Sequence, residues 1–512
     1  MTNTIGVNVP HEFSTIVAFT GYLIIVMSVG IVAFVVTRNL SDYVLGGRRL
    51  GGAVAALSAG ASDMSSWLLM GLPGAVYAFG LREIWASIGL TIGAYACWRL
   101  IAKRLRIYSE VAKDSVTLPA YLDNRFRDNS KAIRMVAALA TLIFFVFYVA
   151  SGLFAGGILI SRTFGIDYTQ ALWIGATIVM LYTCIGGFLA VSWTDFFQGN
   201  LMLICLLAVP FFAIQNLGGW QVGLDKISSI RPEYLEWTRG LSFSKFLSLF
   251  AWGLGYFGMP HILVRFMAVK SVQEIPLARR VCIGWMALSL LAAVLVGVVG
   301  AIHFTETPLG NYETVFMELS EQVFSPWIMG IILAAILSSG MCAIDSQMLA
   351  ASSALTEDFY HTILRRNATQ KELVWVGRIT TGIIAGIGIY IARDPQQSIM
   401  NLVEFAWSGL GATFGASVVL SLFWKRTTRN GVVVGMILGS LTVIIWQLLG
   451  YTEWMNAILP GVITSYLGVI ITSILDKAPS EEIIREFEKV EKLVKDSAVN
   501  SSTGYLIDSQ TN

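Results

Sequence analysis

The stretch Ala55-Ala56-Leu57-Ser58-Ala59-Gly60-Ala61-Ser62-Asp63-Met64-Ser65-Ser66-Trp67-Leu68-Leu69-Met70-Gly71-Leu72-Pro73-Gly74 is an apolar run of membrane length with a carboxylate at its centre. An ionised Asp in mid-bilayer costs roughly 2.5–3.5 kcal/mol on insertion scales, so a chain that keeps one there usually gives it a partner. The small residues Gly60, Ala61, Ser62, Ser65 and Ser66 let backbones approach closely, and Gly71, Pro73 and Gly74 weaken helical continuity. This pattern predicts a broken transmembrane helix whose freed carbonyls and amides face an ion and a solute. The blander alternative is an unbroken helix with a small-residue packing face and an Asp bonded to a neighbour.

The rest of the chain places that helix in a bilayer. Of 512 residues 55% are hydrophobic and 13% charged, and mean hydropathy is +0.68, a composition outside the soluble globular range. The net charge of +2 is spread over loops, so no nucleic-acid partner is expected and the lipid bilayer is the chain's medium. The five cysteines fall in separate apolar segments without CxxC spacing and read as reduced packing thiols. Met1 to Phe13 has no basic n-region, so the first apolar segment is expected to be a retained span.

Thirteen apolar runs are long enough to span, near 15–36, 52–79, 84–98, 135–160, 168–185, 192–216, 242–268, 281–303, 326–355, 374–392, 398–424, 431–450 and 454–475. Basic residues cluster in alternate connections. These hold Arg38, Arg48 and Arg49; nine Lys and Arg between Arg99 and Arg134; Lys270, Arg279 and Arg280; Arg365, Arg366 and Lys371; and Lys425, Arg426 and Arg429. The positive-inside rule then puts the N-terminus, 1–14, outside and the tail, 476–512, in the cytoplasm. The segment 217–241 fits less cleanly, since it carries Lys226, Arg231 and Arg239. The outer segments 217–241 and 304–325 are expected to be lid or interfacial material. In the tail, Ile483, Ile484, Phe487, Val490, Leu493 and Val494 recur at helical spacing, and the polar residues from Asp496 on are expected to be unstructured.

A second interruption lies in the seventh run, Phe250-Ala251-Trp252-Gly253-Leu254-Gly255-Tyr256-Phe257-Gly258-Met259-Pro260-His261. Trp252, Tyr256 and Pro260 are spaced i+4 and line one face. Runs two and seven are five apart, the offset of an inverted repeat, with halves near 52–216 and 242–424 inside a transporter domain 15–475. Helix packing or an interfacial aromatic belt is the alternative for Trp252 and Tyr256.

The chain resembles the solute:sodium symporter family, its proline-transporting members in particular, from about Tyr22 to Ile474. The resemblance runs through LeuGlyGlyArg at 45–48, AlaLeuSerAlaGlyAlaSerAspMetSer at 56–65, MetGlyLeuProGly at 70–74, GlyGlyPheLeuAlaValSerTrpThrAsp at 186–195, TrpGlyLeuGlyTyrPheGly at 252–258 and ThrGluAsp at 356–358. It implies an all-α polytopic membrane protein with a LeuT-like 5+5 inverted repeat, about 13 transmembrane helices, a place in the bacterial cytoplasmic membrane, and inward sodium-coupled transport of L-proline. It also implies no cofactor beyond the coupling ion and no obligatory protein partner. Solute contacts carried over from the family fall on Ser65, Ser66, Trp67, Tyr148, Trp252, Tyr256 and Pro260. Sodium falls near the carbonyls of Ala61 and Met64, with Asp63 coupling, and Asp195 matches a position that borders an additional cation site in some relatives.

Departures from that pattern matter as much. The ninth run reads Ser338-Ser339-Gly340-Met341-Cys342-Ala343-Ile344-Asp345, with Cys342 and Ala343 where the proline symporters present a Ser-Thr pair to sodium. A hard cation prefers oxygen, so a thiol and a methyl are poor replacements, while Asp345 adds a carboxylate one turn on. Ser66 and Met259 replace a glycine and a glutamine, and Glu404 adds another intramembrane acid. Proton coupling, or another solute, therefore stands beside the sodium and proline reading. A transporter-like sensor is a third class, disfavoured by the short tail expected after the last span. An enzyme is weaker still, since the four histidines form no metal-spacing motif.

Overall fold

The computed structural model describes residues 13–36, 45–238 and 240–503. The extracellular segment expected before Phe13, the basic Arg38 and Arg239, and the polar end from 504 lie outside them. Regular structure among the described residues is helical, apart from one isolated parallel bridge between Leu50 and Val269.

The helices that build the bundle begin with α1 (Phe13–Val36), α2 (Gly52–Ser66), α3 (Leu72–Phe79), α4 (Ile84–Cys97), α5 (Ala132–Phe164), α6 (Tyr168–Asn216), α7 (Phe243–Phe250) and α8 (Pro260–Ala268). They continue as α9 (Ile275–His303), α10 (Pro326–Ser353), α11 (Gln370–Ala392), α12 (Ile399–Phe423), α13 (Arg429–Leu448), α14 (Ile458–Leu475) and α15 (Glu481–Thr503). By length and composition, nine helices among the described residues are apolar enough to cross a membrane, or ten if the bent pair formed by 243–258 and α8 is one span. Phe13–Val26 and Tyr168–Leu181 are shorter apolar helices. The expected count of thirteen is thus not reached by those criteria. The shortfall lies in three runs: 52–79 is rich in small and polar residues and is broken, and the first and fifth enter only as the shorter stretches Phe13–Val26 and Tyr168–Leu181, the latter ahead of the bend of α6 at Gly187 (φ 62°, ψ −175°).

Two differences concern element ends. The third run continues as helix to Val111, so Arg99, Lys103, Arg104 and Arg106 ride on a helical extension and not on a loop. The tail helix extends through Asp496 to Thr503, longer than its apolar stripe predicts.

Both interruptions lie at the centre of the bundle. At the first, Ser65 sits at φ 51°, ψ −166°, a region that costs a non-glycine residue about 1–3 kcal/mol and persists only where the surroundings hold it. Its own hydroxyl accepts the Trp67 amide at 3.2 Å. Trp67–Gly71 then widens, the Leu72 amide reaching back five residues to the Trp67 carbonyl. At the second, α7 tightens into Ala251–Gly258, Met259 is extended, and Pro260 opens α8 after a 47° bend. Proline at this first position lacks only a donor that would be unpaired anyway. Glycine permits the crossing with α4: a Cβ on Gly93 would stand 2.1 Å from the Gly253 carbonyl oxygen. Helices α9, α10 and α6 pack around α2, while α12 and α4 pack around 251–258.

The segments 217–241 and 304–325 latch onto these halves. Tyr234 donates to the Val76 carbonyl at 2.6 Å, and Trp85 stacks on Trp237 with centroids 5.2 Å apart. The buried Glu313 carboxylate accepts the Ile399 and Met400 amides, each at 3.1 Å, and so caps α12. On the opposite face, Asp358 of the ThrGluAsp motif accepts from Arg134 at 3.1 Å and from Thr117 at 3.2 Å.

Candidate solute and cation site

Asp63 occupies the last turn of α2 before the break and is buried. The Tyr148 hydroxyl of α5 donates to its backbone carbonyl at 2.9 Å, and the Tyr256 hydroxyl from the second break donates to its carboxylate. The other carboxylate oxygen, Oδ1, has no partner among the described residues. Trp67 stacks on Trp252 with centroids 5.4 Å apart and planes at 25°. Trp407 meets Tyr256 edge to face at 5.2 Å and donates its indole N–H to the Trp252 carbonyl at 2.8 Å. Each break therefore carries one half of an aromatic pair, and α12 braces the second half.

Between them lies a small cavity lined by Asp63, Met64, Trp67, Tyr148, Trp252 and Trp407, closed by Leu90 and Val403. Its chemistry is aromatic faces around one carboxylate, suited to a small solute with an apolar body and a cationic nitrogen. Of the residues expected at the solute, Trp67, Tyr148 and Trp252 line this cavity, and Tyr256 reaches it through Asp63. Ser65 forms the break itself. Ser66 and Pro260 do not converge on it: Ser66 lines a separate small cavity with Gly152 and Gly340, and Pro260 lines a third cavity. Trp407 was not legible as a site residue, though a signal existed. It sits two residues before Gly409 in an apolar run, and a Cβ on Gly255 would stand 2.2 Å from its indole nitrogen, the mark of a tight crossing.

The expected sodium ligands gather beside α2 in altered form. The Ala61 carbonyl accepts the Cys342 thiol at 3.2 Å, and the Met64 carbonyl accepts the Trp67 amide. Ser339 turns its hydroxyl back to the Ile336 carbonyl at 2.6 Å, and Ala343 offers a buried methyl.

One turn on, a buried charge cluster appears. Arg265 of α8, fully buried and missed from the sequence, donates to Asp195 at 3.0 Å, to Ser58 at 2.7 Å, to the His261 carbonyl at 2.6 Å and to Ser346 at 2.6 Å. Ser58 also donates to Asp195 at 2.7 Å, and Ser346 lies 3.4 Å from an Asp345 oxygen. Asp195 thus meets a cation that the chain itself supplies. Of two carboxylates near one guanidinium, Asp195 bonds it directly and Asp345 is reached through Ser346, and Asp195 Oδ1 and Asp345 Oδ2 are without partners among the described residues. Buried charges are tolerated only when paired and hydrogen-bonded, so this cluster is where one more positive charge is best accommodated.

Paired broken helices around a midplane cavity, with the second break five runs after the first, define a LeuT-type secondary transporter. The chain belongs to the sodium:solute symporter family, whose model matches residues 43–439. It is 46% identical over 93% of its length to the sodium/proline symporter of Escherichia coli (strain K12), covering 96% of that protein. It is 47% identical to the high-affinity proline transporter PutP of Bacillus subtilis (strain 168), over 90% of this chain and 98% of that one. In fold it resembles a Na+-coupled sialic acid symporter in a substrate-bound outward-open state, with TM-score 0.79 at 18% identity, covering 92% of this chain and 99% of that one. A nucleobase-cation-symport-1 family transporter in a closed conformation aligns with TM-score 0.56 at 12% identity, over 88% and 99% of the two chains.

Proposed function

We propose that this protein takes up L-proline together with sodium by alternating access across the bacterial cytoplasmic membrane. It would cross thirteen times, with residues 1–14 outside, the transporter domain at 15–475, repeats near 52–216 and 242–424, and the tail 476–512 in the cytoplasm. The observation that carries the reading is the Asp63 cavity, where the Trp67–Trp252 stack and the Tyr148 and Tyr256 hydroxyls meet at the two breaks. An aromatic box encloses the pyrrolidine ring, and the Asp63 carboxylate faces its secondary ammonium. The test is uptake of labelled proline into proteoliposomes under an imposed sodium gradient. Accumulation that collapses when the gradient is dissipated supports the reading, and absence of proline uptake under every gradient sinks it.

A second reading, proton coupling, is favoured by one observation: the Cys342 thiol holds the Ala61 carbonyl where hydroxyl oxygens would face sodium. Accumulation without sodium under a pH gradient alone would establish it, with Asp345 as the carrier.

A further inference from the structure

A second, small cavity lies beside the central one, walled by Leu118 and Pro119 of the basic segment and by Phe188, Pro260, Val264 and Leu349. Tyr148 and His261 stand between the two cavities. Tyr148 lines the first and His261 the second, with ring centroids 6.2 Å apart at 88°. Phe145 also meets His261 edge to face at 5.5 Å, so the imidazole is fixed by ring packing and its nitrogens stay uncommitted.

Two polar groups in this cavity have capacity to spare. His261 is 1% exposed, and both its ring nitrogens lack a partner among the described residues, as does the buried Thr141 hydroxyl. Arg265, which also lines the cavity, is committed to Ser58, Asp195, Ser346 and the His261 carbonyl and belongs to the charge cluster. Leaving buried polar groups unpaired is costly, and the two spare ones converge on one space. None of the residues lining it is acidic. An imidazole N–H and a hydroxyl, set in an apolar wall, can donate to a carboxylate on an apolar body.

We propose that this cavity is a second station for the solute, which takes its carboxylate end at His261 and Thr141 after it leaves the Asp63 cavity. The proposal rests on the transport reading for the identity of the solute. The binding chemistry has a consequence that does not depend on it: cyclopentanecarboxylate, which has the ring and the carboxylate but no amine, binds here and not at Asp63.

The experiment is saturation binding of radiolabelled cyclopentanecarboxylate to the purified full-length protein in sodium buffer. The expected result is one equivalent per chain, unchanged in Tyr256→Ala, weakened about tenfold or more in His261→Phe and measurably in Thr141→Val. If His261→Phe does not elute as a folded species, the near-isosteric Thr141→Val carries the test. No saturable binding to the wild type, as for a cavity that holds only water, would overturn the proposal. So would binding indifferent to both variants, or binding lost in Tyr256→Ala, which would locate the carboxylate in the central cavity. Failure of the transport reading shows separately, as absent gradient-driven proline uptake with cyclopentanecarboxylate binding intact.

Discussion

Tyr256 illustrates how much one side chain can hold at a helix break. Its hydroxyl restrains the Asp63 carboxylate, and its ring lies under the edge of Trp407. Truncation removes a charge-assisted hydrogen bond and part of the aromatic wall, together on the order of 1–3 kcal/mol. Tyr256→Ala is therefore expected to raise the apparent KM for proline about tenfold or more, and unchanged uptake at limiting proline would remove it from the site. Asp345→Asn addresses coupling at the same scale. It should abolish gradient-driven accumulation while equilibrium exchange persists, whichever cation is used, because it deletes the carboxylate that Arg265 leaves unmatched. Normal accumulation in that variant would make Asp345 a bystander.

At the scale of elements, the face carrying the basic segments is held by ion pairs and by the tail helix α15. Phe487 and Val490 are buried, with Phe487 against Tyr108 at 6.5 Å and under the Arg125 guanidinium at 5.4 Å, while Arg127 pairs with Glu482 and Glu486. Phe487→Ala removes a buried aromatic whose loss costs roughly 3 kcal/mol or more in a core. The expected result is release of α15, read as faster tryptic cleavage near Lys489 and Lys492 with the bundle intact. A second clamp is Asp128, buried, which accepts from Ser130, the Ile133 amide and Arg429 at 2.8 Å. Burial acts to raise its pKa, but those three partners outweigh burial and hold it below the ordinary carboxylate value. A depressed folded pKa contributes stability above the unfolded value of about 4, lost as pH falls through the folded one. Wild type minus Asp128→Asn should differ by about 1 kcal/mol at neutral pH, the half-exposed Arg429 being screened. That difference should shrink as the pH falls below the unfolded value, and one that grows on acidification would reverse the assignment.

For the whole molecule, orientation is the claim to test. Gly310 and Asn367 are exposed on connections that the basic-residue alternation puts on opposite sides. Cys97, Cys205, Cys282 and Cys342 are buried, so in a Cys184→Ser background single cysteines report cleanly. Gly310→Cys is expected to react with an impermeant maleimide in intact cells, and Asn367→Cys only after permeabilisation. The reverse pattern would invert the topology.

Composition and local pattern by themselves determined the membrane class, both helix breaks and the aromatic face at Trp252 and Tyr256. Each follows from a short-range rule: apolar length against bilayer thickness, or glycine and proline against helical continuity. The motifs added the family and its altered cation ligands, Cys342 and Ala343. What only the tertiary structure decided are the pairings across distant segments. Trp407 closing the cavity, Arg265 meeting Asp195 across seventy residues, Ser66 and Pro260 turning to other cavities, and α15 clamping Tyr108 all depend on which faces the bundle brings together. In an apolar span, hydropathy is nearly uniform around the helix, so the sequence carries little signal for rotation about the axis. An arginine such as Arg265 at the end of such a span reads as a loop charge until packing shows the acid it faces.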